Sequence, residues 1–385
     1  MSHDFDNQPD RVGTDSTKWK RYEGRDVLPA WVADMDFSAA PPILDALRRR
    51  LEHPVLGYAS ARRSTLDAVL RYLEERHGWR VAPESVVFTP AVVPSLHGVI
   101  RAAAEPSESV LTATPVYPPF LSAPVLSGRG LERVPLAFEN GRWVFDFDAM
   151  EAALARSRVR VFLLCNPHNP VGRVFEKAEL ERLAEFAGRH GIVVCSDEIH
   201  CDLVHDAQAR HVTFATLDSP AARSCVSLFS ASKTYNTAGL LCGYAVIPDP
   251  QLRTRFRRAL SGVANEVNIF GFAALEAAYN HGESWRLQLL DYLRGNLDLV
   301  MSEVASAPGL GIAQRPQATY LAWVDARGYG LENPAAAFEE GGVGLNDGAD
   351  FGFPGFVRLN FGCPRSRLRE ILRRIRATAE RLSRR

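Results

Sequence analysis

A lysine flanked by hydroxyl residues is the clearest candidate for covalent chemistry in the sequence. The segment Ser230–Asn236 reads SASKTYN and directly follows the apolar run Val226–Phe229, which is predicted to be a buried strand. A lysine amine at the carboxyl end of a strand can form an imine with a carbonyl compound, and the hydroxyls beside it can bind a phosphate. The segment therefore indicates a site for a phosphate-bearing carbonyl cofactor at Lys233. An ordinary lysine in a surface loop is the alternative.

An aspartate ends a second apolar run. Asp197 follows Ile192–Cys195 in the segment VVCSDEIH, so we expect its carboxylate to be partly buried and to need a cationic partner. A protonated pyridine nitrogen would supply that charge. Structural capping by the same carboxylate is the alternative.

Two Asn-Pro pairs lie at the end of a third apolar run. The segment Cys165–Gly172 reads CNPHNPVG and follows Val159–Leu164. Two such pairs predict a stiff turn, which can hold an asparagine amide in a fixed geometry. A plain strand-to-helix connection is the alternative.

Short apolar runs alternate with amphipathic ones through the middle of the chain. Continuously apolar strands are typical of a parallel sheet that is covered on both faces, so the pattern predicts an α/β fold. Helices are predicted from a capping box at Ser64–Asp67 to about His77, and from Glu176 to His190 with Gly191 ending it. The predicted strands are Val86–Phe88, Ser109–Leu111, Val159–Leu164, Ile192–Cys195, Val226–Phe229 and Gly243–Ile247.

After about residue 265 the pattern changes to long helices and isolated strands, which predicts a smaller α+β domain. The predicted elements are helices Ile269–Tyr279 and Ser284–Ser306, strands Tyr320–Val324 and Phe356–Leu359, and a final helix from about Ser366. The final helix is rich in arginine, but its amphipathic pattern is typical of a solvated helix face rather than a nucleic-acid surface.

Composition excludes several classes of protein. The 385 residues are 46% hydrophobic and 23% charged, which excludes disorder as the main state. Lys and Arg together number 45, as do Asp and Glu, so no general attraction to nucleic acid or anionic lipid is expected. Six cysteines without a CxxC pair predict free thiols and no zinc site. A polar beginning and the lack of a long apolar run predict a cytoplasmic protein without a membrane span.

The three motifs, in this order and at these spacings, resemble those of the fold type I pyridoxal phosphate (PLP) enzymes, the aspartate-aminotransferase superfold. The resemblance covers nearly the whole chain. It implies an α/β large domain with a mainly parallel sheet, plus a smaller α+β domain. Residues 1–45 are expected to form an arm that joins the small domain, residues 46–280 the PLP-binding domain, and residues 281–385 the small domain.

The resemblance assigns roles to residues that match the family's motifs. Lys233 would hold pyridoxal 5′-phosphate covalently and act as the catalytic base, and Asp197 would pair with the pyridine nitrogen. Asn169 would bond the ring's phenolic oxygen, Tyr117 in TPVYPP would stack on the ring, and Arg358 in VRLN would bind the substrate carboxylate. The remaining expected contacts are Ala91, Val92, Val93, His200, Ser230, Ser232 and Tyr58 for the cofactor, and Ala33, Asp34 and Asn169 for the substrate.

Other segments resemble the MalY/PatB branch, whose members are cysteine-S-conjugate β-lyases, including cystathionine β-lyases. These segments are RVGTDSTKW from Arg11, LPAWVADMDF from Leu28, and His200 in DEIH. Leu241 fits this branch too, because many aminotransferases carry a phosphate-binding arginine there. Ala91 and Ala231 depart from the branch, which commonly has glycine and proline.

The branch implies a PLP-dependent lyase that cleaves S-substituted L-cysteines to thiol, pyruvate and ammonia. An aminotransferase on the same scaffold is the second interpretation, and a protein that only binds partners is the third. The family also implies a small amino-acid substrate and a homodimer in which Tyr58 reaches the neighbour's phosphate.

Overall fold

The computed structural model describes residues 3–264 and 266–384. The predicted domain ranges also include Met1, Ser2, Asn265 and Arg385, which lie outside the described residues. The strands are β1 (Leu28–Pro29), β2 (Val86–Thr89), β3 (Ser109–Thr114), β4 (Gly130–Pro135), β5 (Ala137–Glu139), β6 (Arg142–Val144), β7 (Val159–Cys165), β8 (Val193–Asp197), β9 (Val226–Phe229), β10 (Gly243–Val246), β11 (Leu321–Asp325), β12 (Val343–Gly344), β13 (Asn346–Asp347) and β14 (Phe356–Asn360).

The α-helices of the same residues separate these strands. They are α1 (Thr17–Lys20), α2 (Pro41–Leu51), α3 (Arg63–His77), α4 (Val92–Ala103), α5 (Pro119–Leu126), α6 (Phe147–Leu154), α7 (Lys177–His190), α8 (Pro220–Arg223), α9 (Pro250–Leu260), α10 (Ile269–His281), α11 (Glu283–Ser306), α12 (Pro334–Glu340) and α13 (Arg365–Ser383). None of these described helices is both long and apolar enough to cross a membrane.

A seven-stranded sheet forms the centre of the fold, in the order β2-β10-β9-β8-β7-β3-β4. β10 runs antiparallel to both of its neighbours, and the other pairs are parallel. The six predicted strands all belong to this sheet, so the α/β prediction is confirmed. Because β7, β8 and β9 are parallel neighbours, their carboxyl ends meet at one edge of the sheet. The three sequence motifs follow those three ends.

Two helices show how far local signals determine the helix ends. α7 follows a capping box between Glu176 and Glu179, and Gly191 ends it with a φ of 62°. The predicted capping box of α3 is wrong, because the N-cap is Arg62, two residues before Ser64, and Ser64 lies inside the first turn of the helix. Asp67 instead accepts a hydrogen bond from Arg63 Nε at 2.8 Å.

The C-terminal part has its own sheet, β11-β14-β13, in which both strand pairs are antiparallel. The N-terminal arm joins it through β1, which pairs in parallel with β12, Leu28 opposite Val343. α10 ends at His281 and α11 begins at Glu283, close to the expected division between the domains. The domain boundaries themselves stay predictions.

Candidate active site

A cavity of about 290 Å³ lies at the carboxyl ends of β7, β8 and β9, between the central sheet, the N-terminal arm and the C-terminal sheet. Most of the residues that the sequence suggested line it, although they come from distant parts of the chain. These are Ala33, Ala91, Val92, Val93, Tyr117, Asn169, Asp197, His200, Ser230, Ser232, Lys233 and Arg358.

Lys233 presents its amine to this cavity. Its Nζ donates a hydrogen bond to the backbone oxygen of Ala33 at 2.8 Å. Burial lowers the pKa of Lys233 to about 8 and Arg358 adds to the decrease, while Asp34 and Asp197 oppose it. A large fraction of this amine is therefore neutral near pH 8, and a neutral amine can act as a nucleophile or a base.

Asp197 ends β8 and is buried, with a carboxylate oxygen that accepts a hydrogen bond from the backbone N–H of Ile199 at 3.1 Å. Burial raises the pKa of Asp197 to about 7, because this bond and the charge of Lys233 offset only part of the desolvation. Within the described residues, this carboxylate forms no ion pair. A protonated pyridine nitrogen is a suitable partner, since it would supply the missing charge.

Arg358 lies on β14 and is buried on the opposite side of the cavity. Its Nη1 donates to Asn169 Oδ1 at 2.9 Å, and its Nη2 donates to the backbone oxygen of Trp31 at 2.9 Å and to Asn346 Oδ1 at 2.7 Å. Its Nε has no partner among the described residues. Burial lowers the pKa of Arg358 to about 10, so the guanidinium stays charged at neutral pH. A charged guanidinium with neutral partners suits a carboxylate ligand.

The other end of the cavity suits a phosphate. α4 begins there, and its N-cap residue, Ala91, makes no side-chain cap, so the first backbone N–H groups of the helix are available to an anion. Ser230 and Ser232 lie beside them, with their hydroxyl oxygens 2.9 Å apart. Leu241 also lines the cavity, and it offers no charge to a phosphate.

His200 and Tyr117 line the wall between these two ends. His200 is buried, its Nδ1 has no partner among the described residues, and burial lowers the pKa of its ring to about 3. It is therefore a neutral imidazole with one unused polar atom. The backbone N–H of Tyr117 donates to the backbone oxygen of Asn169 at 3.1 Å, which ties the β3 and β7 loops together.

Two of the predicted contacts are not brought to the cavity. The carboxylate of Asp34 accepts hydrogen bonds from Arg11, at 2.8 and 3.2 Å. Trp31 and Val32 line the cavity in its place. Tyr58 is fully exposed and lies in a separate surface hollow with Leu56.

Side-chain donors from distant parts of the chain hold the backbone of the arm beside the cavity. Each backbone oxygen from Trp31 to Met35 accepts at least one such hydrogen bond. The donors are Arg358 to Trp31, Asn360 to Val32 and Asp34, Lys233 and Tyr320 to Ala33, Lys18 to Asp34, and Arg11 and Asn236 to Met35.

Buried charges anchor the next residue of the arm. Asp36 is buried, and its carboxylate lies 3.0 Å from Lys18 Nζ, 2.9 Å from Arg11 Nη1 and 3.4 Å from Arg367 Nη1. Burial alone would raise the pKa of Asp36, but Lys18 and its other partners hold it below its usual value. Lys18 and Arg11 belong to the arm and hold it together, and Arg367 links it to α13 in the C-terminal part of the chain.

The sequence reasoning missed Trp31, Asn346, Tyr320 and Asn360. All four lie outside the three strand-end motifs. Asn346 and Tyr320 reach the site only through the pairing of the C-terminal strands, which local patterns do not encode. Asn360 was inside a quoted motif, VRLN, and its polar side chain at a buried strand position was the available signal.

Comparisons with known proteins agree with this geometry. The family model described as Aminotransferase class I and II matches residues 34–375. Cystathionine beta-lyase PatB of Bacillus subtilis is 38% identical, over 97% of this chain and 99% of the relative. The crystal structure of OvoB is 44% identical with a TM-score of 0.95, covering 98% of this chain and 99% of that one. The PLP-bound C–S lyase from Staphylococcus hominis is 28% identical with a TM-score of 0.90, covering 98% of each chain.

Proposed function

The chain belongs to the class I and II aminotransferase family, and from that membership we propose that it is a PLP-dependent carbon–sulfur β-lyase. It cleaves S-substituted L-cysteines, such as cystathionine-like thioethers, and with water releases a thiol, pyruvate and ammonia. One observation carries the proposal: Lys233, Asp197 and Arg358 face one cavity. Burial there lowers the pKa values of Lys233 and Arg358 and raises that of Asp197.

The residues around the cavity fit pyridoxal 5′-phosphate. Bound there, the cofactor supplies a carbonyl carbon for an amine and an electron sink that makes the substrate's Cα–H acidic. The uncapped N-terminus of α4 and the hydroxyls of Ser230 and Ser232 would bind its phosphate. Asp197 would share a proton with its ring nitrogen, and Tyr117 and Asn169 would contact the ring.

Substrate chemistry then depends on two basic side chains of this chain, Arg358 as a cation and Lys233 as a neutral amine. Arg358 binds the α-carboxylate, since its guanidinium is charged and has only neutral partners within the described residues. Lys233 removes the Cα proton, because its pKa of about 8 leaves much of the amine neutral. Loss of the Cα proton with a thiolate leaving group at Cβ gives elimination.

Two features favour elimination over amino-group transfer. Leu241 occupies a position where many aminotransferases of the family have an arginine, so the phosphate end of this cavity carries one cation fewer. The relatives that cover nearly the whole chain include proteins named as a cystathionine beta-lyase and a C–S lyase. An aminotransferase on the same scaffold is the alternative that the assay must separate.

The enzyme acts as a homodimer in this proposal. Leu51, Val55, Leu56, Tyr58 and Val263 are all exposed, and so much apolar surface is typical of a contact with a partner. Tyr58 would reach the phosphate of the neighbouring subunit. All six cysteines are free, which supports a reducing cytoplasm as the location.

An assay without an added keto acid tests the reaction. We expect steady turnover of L-cystathionine or an S-alkyl-L-cysteine, giving pyruvate, ammonia and thiol in equal amounts, because elimination needs no second substrate. Lys233→Ala should abolish turnover and the borohydride-sensitive visible absorption, whereas Lys177→Ala, at an exposed ion pair on α7, should leave both unchanged. If cysteine conjugates stay intact while an amino acid and a keto acid exchange nitrogen, the enzyme is an aminotransferase.

A further inference from the structure

A backbone carbonyl beside the cavity accepts two hydrogen bonds. The oxygen of Ala33 accepts one from Lys233 Nζ at 2.8 Å and one from the hydroxyl of Tyr320 at 3.1 Å. Tyr320 is fully buried, and its ring lies edge-on to that of His200 with 6.3 Å between the centroids. Packing fixes its hydroxyl, so the hydroxyl can fix the carbonyl.

The backbone on either side of Ala33 has little freedom to move. Asn360 Nδ2 donates to the oxygens of Val32 and Asp34, at 2.6 and 2.9 Å, and so holds the peptide groups on either side of the one that contains the Ala33 carbonyl. Tyr320 removes the remaining freedom, which is the tilt of the Ala33 carbonyl itself. The lone pair that Tyr320 leaves unused then faces the amine of Lys233.

We propose that Tyr320 is a positioning residue. It fixes the orientation of the Ala33 carbonyl, and this carbonyl accepts a hydrogen bond from the Lys233 amine whenever that amine is not bonded to the cofactor. This inference rests on the proposed function, because it assigns the amine two alternative positions. A base that is held in one place stays close to the Cα proton that it must remove. Displacement of a reacting group by about 1 Å can cost about a hundredfold in rate.

The shared oxygen also affects how readily the amine holds a proton. A carbonyl that already accepts a hydroxyl proton is a weaker acceptor for an ammonium group, so Tyr320 helps keep the amine neutral. The other groups that face the amine are Asp197, Arg358 and the neutral ring of His200, and the charge of Asp34 acts on it from outside the cavity. Substitution of Tyr320 by phenylalanine changes none of these.

Reconstitution of the cofactor-free chain with pyridoxal 5′-phosphate tests the inference. The measured quantity is the rate at which the visible absorption appears as a function of pH, since only the neutral amine reacts. In Tyr320→Phe the midpoint of this profile should move to higher pH, because the carbonyl then binds the ammonium form more strongly. In the reconstituted enzyme, kcat should fall about tenfold while KM is unchanged, because the base is misplaced and Arg358 is intact.

Tyr22→Phe is the matched control, since Tyr22 is also buried and its hydroxyl bonds Glu339 away from the cavity. A profile and a kcat for Tyr320→Phe equal to those of the control would overturn the inference. If Tyr320→Phe does not fold, 3-fluorotyrosine at position 320 is the second variant. It keeps the shape of the side chain and its hydroxyl donates a stronger hydrogen bond, so the midpoint of the profile should move to lower pH. An unchanged midpoint would also overturn the inference. Failure of the wild-type chain to develop the absorption would instead refute the proposed function.

Discussion

Burial acts on Lys233, Arg358 and Asp197, three of the ionisable side chains that face the cavity. It lowers the pKa of Lys233 and of Arg358 and raises that of Asp197, so burial makes the charged form of each less favourable than it is in water. A cofactor and a substrate carboxylate would supply the opposite charges. Ligands that pair with these groups bind only the folded state of the chain, and they should therefore stabilise it against unfolding.

The carboxylate site can be tested by a change that keeps the charge. Arg358→Lys should reduce kcat/KM by more than about tenfold with normal cofactor absorption, because an ammonium cannot reproduce the planar fork of a guanidinium. Steady-state kinetics with one S-alkyl-L-cysteine measure the effect. Arg365→Lys is the matched control, since Arg365 bonds Asn296 and lies over the ring of Tyr292. Equal losses in the two variants would place the carboxylate site elsewhere.

The N-terminal arm is the element on which the substrate side of the cavity depends. Its carbonyls are bound by side chains of the large and the C-terminal sheets, and its Asp36 is buried against three cations. An arm held at so many points behaves as a wall of the cavity rather than as a loop. Removal of one buried charge should loosen the whole segment.

Asp36→Asn tests this anchoring. We expect a loss of about 3 kcal/mol in the free energy of unfolding at pH 7, because three cations lose their carboxylate. The pKa of Asp36 is lowered in the folded state, so its contribution is present above the unfolded value of about 3.9 and is lost as pH falls through the folded value. Wild type and variant should therefore converge in acid.

Urea unfolding across this pH range supplies the measurement. Asp45→Asn is the control, since Asp45 pairs with Arg48 at an exposed site and should change stability little. A variant of Asp36 that unfolds with the same free energy as the control at pH 7 would mean that the ion cluster does not hold the arm.

Local sequence patterns account for the central elements and not for the contacts between them. Continuous apolar runs predicted six of the seven strands of the central sheet, all but β4. Parallel strand ends must meet at one edge, so Lys233, Asp197 and Asn169 could be expected together. Asn346 and Tyr320 could not, because the register of β13 and β14 and the path of the arm depend on long-range packing. The backbone of Val32–Asp34 was expected at the substrate; Val32 and Ala33 line the cavity, whereas Asp34 does not.

The molecule as a whole has an exposed apolar segment between Leu51 and Tyr58, which its own chain does not cover. Tyr58 lies in this segment, outside the cavity of its own chain. A second subunit that brings Tyr58 to its neighbour's phosphate would explain both observations. In the dimer, the Tyr58 hydroxyl would then supply a hydrogen bond to a phosphate that Leu241 cannot bind.

Hybrid dimers test this arrangement directly. Tyr58→Phe alone should weaken cofactor binding about tenfold, because a hydrogen bond to a phosphate is lost. When Tyr58→Phe and Lys233→Ala subunits are unfolded, mixed and refolded, each hybrid should regain one site of wild-type affinity, made of Lys233 from one subunit and Tyr58 from the other. Spectroscopic titration with the cofactor and sedimentation give the readouts. No gain on mixing, or an active monomer, would contradict the arrangement.

The bonds that hold the arm also bear on the order in which the chain is made. Val32 and its partner Asn360 are 328 positions apart, and Trp31 and Arg358 are 327 apart. A chain grows from its amino end, so the arm leaves the ribosome long before Arg358 and Asn360 are synthesised. A nascent chain that stops before residue 358 contains all seven strands of the central sheet and Lys233, yet it lacks the side chains of Arg358 and Asn360 that hold the arm. Water must solvate the Trp31 carbonyl until translation is almost finished, because Arg358 is its side-chain donor.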